Sequence, residues 1–169
     1  MILRLLLAAV VLAAAATDLR TRRIPNWLTL PAMAAGLAVN ALESRLAPSL
    51  SGMLAGLGVY FLFFTLGFRG AGDGKLMGAV GAFVGWPQIA SVIVLVALLG
   101  GLAALAVAWR HGAVARVVRS AASILLDLAR FRWTELRARG DFRAEGALRL
   151  PHAPVIAAGT LVFLLFAPR

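Results

Sequence analysis

Asp18 and Asp73 are the residues whose type and setting offer chemistry. Asp18 closes an apolar run, Ile2 to Thr17, and Asp73 sits in Arg69-Gly70-Ala71-Gly72-Asp73-Gly74-Lys75, a glycine-spaced charged stretch that interrupts the apolar sequence from Leu50 to Trp109. A carboxylate at membrane depth is costly and calls for a partner. Taken singly, Asp18 reads as a solvated helix-end residue and Asp73 as the N-cap of the helix that follows. Taken as a pair, they cannot both ionise cheaply at close range and would share a proton. In that state one carboxylate takes a proton from water attacking a peptide carbonyl, while the other, protonated, polarises the carbonyl oxygen.

Other chemistries lack their residues. Gly74-Lys75 is followed by Leu76, where a phosphate-binding loop needs Ser or Thr. The chain has no cysteine, which removes disulfides, thiolate nucleophiles and the usual structural zinc sites. His111 and His152 stand far apart in sequence at membrane edges, without acid or cysteine partners, and read as non-catalytic. No metal or cofactor is expected. A net charge of +10 would suggest nucleic acid in a soluble domain, but zinc-finger spacing, RNP-like strings and aromatic-basic alternation are absent, so nucleic acid is not an expected partner.

The elements that position the two acids follow from hydropathy. With 62% hydrophobic residues in 169 and a mean hydropathy of +0.90, the chain reads as an all-α, polytopic membrane protein forming a single membrane-embedded domain over residues 1–169. Helix 1 covers Ile2 to Thr17, with Asp18 at its cytoplasmic end. Its alanine-rich end also fits a cleavable signal, but Arg20, Arg22 and Arg23 lie after the run, the reverse of a signal peptide. Helix 2 spans Trp27 to Leu42 after Pro25, and helix 3 spans Leu50 to Phe68. Gly70, Gly72 and Gly74 suit a locally unwound entry to a short helix 4, Lys75 to Trp86, with a start at Ala71 as the alternative. Helix 5 spans Gln88 to Trp109 and a last, short helix spans Ala153 to Ala167.

Between them, residues 110–149 form a basic loop too charged to span. Val114, Val117, Val118, Ala121, Leu125 and Leu128 recur at helical spacing and predict an amphipathic helix lying at the cytoplasmic interface against anionic lipids. Fourteen of the seventeen Lys and Arg then fall on one side of a six-span alternation, and only Arg4, Arg45 and Arg169 fall on the other. This places the N-terminus outside and both acids on the cytoplasmic face of the inner (plasma) membrane.

A small-residue pattern suggests how the acids meet. Gly74, Gly78, Gly81 and Gly85 lie along one face of helix 4, and helix 1 is rich in Ala8, Ala9 and Ala13 to Ala16. Small residues allow close helix approach in lipid, so a direct helix 1 to helix 4 contact is expected to join Asp18 to Asp73.

Asp18-Leu19-Arg20-Thr21-Arg22-Arg23-Ile24-Pro25-Asn26 with Leu28-Thr29, and Gly70-Ala71-Gly72-Asp73-Gly74-Lys75-Leu76, resemble the two signature segments of the type IV prepilin peptidases, membrane aspartic proteases of the GxGD class. Leu150 to Thr160 is similar to the start of that family's last helix. The resemblance implies an endopeptidase that removes the basic leader of prepilin-like proteins, just before their apolar helix, at the cytoplasmic face, with Asp18 and Asp73 as the catalytic pair and no cofactor. Larger members resemble bifunctional enzymes that also N-methylate. This cysteine-free chain looks like the short, peptidase-only type associated with Tad-type pili or preflagellins. Gly74 stands where many relatives carry an apolar residue. Two other functions use paired membrane acids or pilus membrane proteins: a small proton-coupled transporter, and a non-catalytic pilus-assembly scaffold. Oligomeric state is not legible in the sequence.

Overall fold

A computed structural model describes residues 2–65, 71–130 and 152–166. Seven helices occupy them: α1 Ile2–Thr21, α2 Asn26–Leu42, α3 Leu46–Thr65, α4 Ala71–Val84, α5 Gln88–Arg110, α6 Val114–Ala129 and α7 Ala153–Phe166. Three of these, α1, α3 and α5, are long and apolar enough to cross a membrane, while α7 is a shorter apolar helix. At 1.5 Å per residue, the 20 residues of α1 and of α3 reach about 30 Å, the thickness of a bilayer's hydrocarbon core.

α4 is the centre of the bundle. Nine of its fourteen residues are buried, Gly74 and every residue from Leu76 to Phe83. It packs chiefly on α3 and α2, with further contacts to α1, α5 and α7. A helix apolar on all sides is one surrounded by protein, and α4 therefore needs neither the length nor the hydropathy of a lipid-facing span. Leu76, Met77 and Val80 join Leu7, Val11 and Ala14 of α1, Met33 of α2, Val92 of α5 and Ile156 of α7 in one continuous core.

The shortness of α4 creates a polar problem that its neighbours solve. The last carbonyls of a helix have no intrahelical partner. Asn40 Nδ2 donates to Ala82 O and Phe83 O at 3.0 and 3.2 Å, and Ser49 Oγ donates to Ala82 O. Gly85 follows in the left-handed region at φ 75°, where glycine is unstrained, and its N–H donates to Gly81 O. The Trp86 N–H donates to Pro48 O at 2.8 Å, fastening the turn to the start of α3.

Several sequence expectations need correction. α1 continues to Thr21, so Asp18 lies within its last turn instead of after its end. Arg20 in that turn suits the negative end of the helix dipole, and the Arg22 N–H donates to Asp18 O to close the helix. α3 begins at Leu46, because Pro48 falls in a first turn, where its missing N–H costs nothing. α4 begins at Ala71, the alternative start, so Gly72 and Gly74 are helical and not part of an unwound entry.

The glycine face of α4 meets α3, not α1. A Cβ on Gly81 would collide with Gly52 O of α3, and a Cβ on Gly52 would lie 2.5 Å from Gly81 O. Gly78 abuts Leu57 of α3 and Met33 of α2, and Gly56 abuts the Met77 carbonyl. The reason is reciprocity: α3 presents Gly52 and Gly56 four residues apart, letting backbone approach backbone from both sides. The alanine-rich α1 packs mainly on α7. The expected amphipathic helix forms as α6, with its contacts to α5. Residues 66–70, with the expected end of helix 3 and Arg69 and Gly70, and residues 131–151, with the second half of the basic loop, lie outside the described residues.

Candidate active site

Asp18 is held by α7. Leu7, Val11, Ala14, Ala15 and Asp18 form the buried face of α1, so the carboxylate extends an apolar stripe that packs in the bundle. At its end the first residue of α7 supplies a hydrogen bond, Ala153 N donating to Asp18 Oδ2 at 3.2 Å. Free N–H groups at a helix start carry partial positive charge and favour a carboxylate. Arg4 Nη1, at the other end of α1, donates to Leu164 O at 3.5 Å. The two helices are thus antiparallel, with an acid at the positive end of α7 and a cation near its negative end.

Asp73 occupies the first turn of α4, half-buried. Its carboxylate is within electrostatic range of Asp18 and of His152. The two acids singled out in the sequence therefore lie within electrostatic range of each other, by routes other than a glycine contact between their helices. Asp18 is set by α1 on α7. Asp73 is set by α4 on α3 and on the connector between α1 and α2. Among the described residues no three His, Cys, Asp or Glu side chains converge to hold a metal ion.

Two further side chains belong to this neighbourhood. His152, read from the sequence as isolated, is solvent-exposed immediately before α7, and its carbonyl accepts the N–H groups of Val155 and Ile156, each at 3.0 Å. It caps the helix whose next residue binds Asp18. Nothing local in the sequence links it to Asp73; only the docking of α7 on α1 does. Tyr60, the one tyrosine of the chain, lies within electrostatic range of Asp73, and a Cβ side chain on Gly74 would crowd its Cβ at 3.2 Å. Gly74 therefore makes room for Tyr60.

The sequence profile of the Type IV leader peptidase family matches residues 5–105, which include both aspartates and run from α1 into α5. A prepilin leader peptidase/N-methyltransferase of Burkholderia pseudomallei (strain 1026b) is 35% identical over 113 residues, 62% of this chain and 37% of that protein. Proteins of the same description from Klebsiella pneumoniae and Escherichia coli (strain K12) are 38% and 36% identical over 100 and 104 residues, in each case 54% of this chain and 44% of the relative. The chain thus aligns with less than half the length of these relatives. No solved structure matches. With the profile covering more than half of its residues, the chain belongs to the type IV leader peptidase family.

Proposed function

We propose that this protein is a membrane aspartic endopeptidase that removes the basic leader of a prepilin-like protein at the cytoplasmic face of the inner membrane. What supports the reading is that the Asp73 carboxylate lies within electrostatic range of Asp18, the two acids coming from helices far apart in sequence. The pair holds one proton between them. The ionised member takes a proton from a water molecule as its oxygen attacks the scissile carbonyl carbon, and the protonated member gives its proton to the carbonyl oxygen. Collapse of the tetrahedral intermediate breaks the C–N bond and protonates the leaving amine, returning the shared proton to the pair.

An apolar helix of the substrate lies in the bilayer beside the enzyme, and its basic leader emerges at the side that carries Arg20, Arg22 and Arg23 of this chain. Six spans with the N-terminus outside account for the arginine asymmetry, and the amphipathic α6, at the start of the basic stretch, lies on anionic lipid. The test is cleavage of a co-expressed prepilin-like protein followed by gel shift and N-terminal sequencing. Asp18→Asn and Asp73→Asn are each expected to abolish leader removal while the protein still inserts, because an amide cannot carry the shared proton. Leader removal by either purified variant overturns the assignment.

A further inference from the structure

Gly72 and Lys75, which bracket Asp73, are tied to the segment Ile24 to Asn26 that follows the Asp18 helix. α1 ends at Thr21 and α2 starts at Asn26, so the intervening residues leave the Asp18 helix directly. On one side of Asp73, a Cβ on Gly72 would stand 3.3 Å from Ile24 Cβ, so the start of α4 rests on the Ile24 side chain. On the other side, Lys75 Nζ donates to Asn26 Oδ1 at 2.8 Å.

Both polar partners occupy positions that local helix chemistry alone does not explain. Asn26 is the first residue of α2, whose N-cap position is Pro25, and no side chain caps that helix start. Its amide oxygen faces another helix instead. Lys75 follows the first turn of α4, and a cation near the N-terminal end of a helix gains nothing from the helix dipole. Residues two apart on a helix point away from each other, so Lys75 does not reach back to Asp73 as an ion-pair partner. Its ammonium is directed to the connector.

We infer that Lys75 and Asn26, with Ile24 seated on Gly72, form a clamp that fixes the spacing between Asp18 and Asp73, making Lys75 and Asn26 positioning residues of the carboxylate pair. The inference rests on the proposed peptidase reading for its kinetic consequence, but not for the contact itself. Without the clamp, the start of α4 is free to shift relative to the end of α1 while the buried remainder of α4 stays packed. A misplacement of about 1 Å at reacting groups can cost about a hundredfold in rate.

Two experiments on the full chain in membranes test this. The first reads the contact without any substrate, using the absence of native cysteine. Ile24→Cys with Gly72→Cys places two Cβ atoms near the separation of about 3.5–4.5 Å that a disulfide needs. The pair should crosslink rapidly under mild oxidation, and adding Lys75→Met should slow the crosslinking several-fold. An unchanged rate would overturn the clamp.

The second uses a synthetic peptide with a basic leader and the first turns of an apolar helix. Lys75→Met and Asn26→Leu should each lower kcat by about tenfold or more with KM little changed, the mark of misplaced reacting groups. The double variant should fall no further than either single one, and Asn26→Asp, which keeps an acceptor for the ammonium, should retain the rate. Multiplicative losses, or a raised KM confined to Lys75→Met, would mean that the lysine touches substrate, and would overturn the positioning role. If the unaltered chain cleaves no leader at all, the peptidase reading fails and the crosslinking rate still decides the clamp.

Discussion

α4 and α5 are consecutive, both apolar and both short of charge, yet they meet opposite surroundings. α4 buries nine of fourteen residues in protein, whereas Val94, Leu98, Leu102 and Leu105 of α5 are exposed along its length. The difference turns on where small residues meet a neighbour. Gly78 and Gly81 admit neighbouring helices to van der Waals distance, while Gly101 of α5 has open space where a Cβ would be. In a bilayer, lipid tails are as apolar as leucine, so close packing and hydrogen bonds decide which helix becomes central. The central helix is also the one that carries Asp73.

The sharpest break of this contrast is Gly81→Leu. The new side chain would overlap the Gly52 backbone, which has no rotamer to yield, and overpacking at backbone is expected to exceed the about 1–3 kcal/mol usual for added bulk in a core. Loss of folded protein from detergent extracts is the expected readout. Gly78→Leu should be milder, because the groups it meets are the Leu57 and Met33 side chains. Accumulation of both at wild-type level would remove the α3 to α4 glycine contact from the account.

Crosslinking sharpens the same point. Leu57→Cys with Gly78→Cys should form a disulfide, and Ala14→Cys with Gly78→Cys should not, since the glycine face is turned to α3. Smaller in effect, Asn40→Leu leaves the Phe83 carbonyl without its side-chain donor and the Ala82 carbonyl with Ser49 alone, and should cost about 1–3 kcal/mol, read as a lowered thermal midpoint. At the small end, Leu98→Val on the exposed face of α5 should leave both stability and leader removal unchanged, because it replaces one lipid-facing apolar group by another.

The fold was readable where one dimension suffices. Apolar runs locate α1, α2, α5 and α7 to within a few residues, and the spacing of Val114, Val117 and Val118 anticipates α6. The boundaries that the sequence missed, at Thr21 and Leu46, or left open, at Ala71, lie where charged, proline and glycine residues accept either helix or loop and the tertiary contacts choose helix. At the site, Asp18 and Asp73 stand out because acids are conspicuous in an apolar chain. Tyr60 and His152 do not, since a tyrosine in an apolar helix and a histidine before one have ordinary uses.

The sequence by itself determined that this is a helical chain for a membrane, which two carboxylates are candidates for chemistry, and the resemblance by which its family is recognised, because composition and short motifs carry that information locally. Only the tertiary structure decided that α4 packs its glycines on Gly52 and Gly56 of α3, that α7 offers the Ala153 N–H to Asp18, and that Lys75 reaches Asn26. Each of these joins residues far apart in the chain through a donor, an acceptor or a missing Cβ. Helical spacing says which residues share a face, but the partner of that face is selected by shape and by unsatisfied backbone groups in three dimensions.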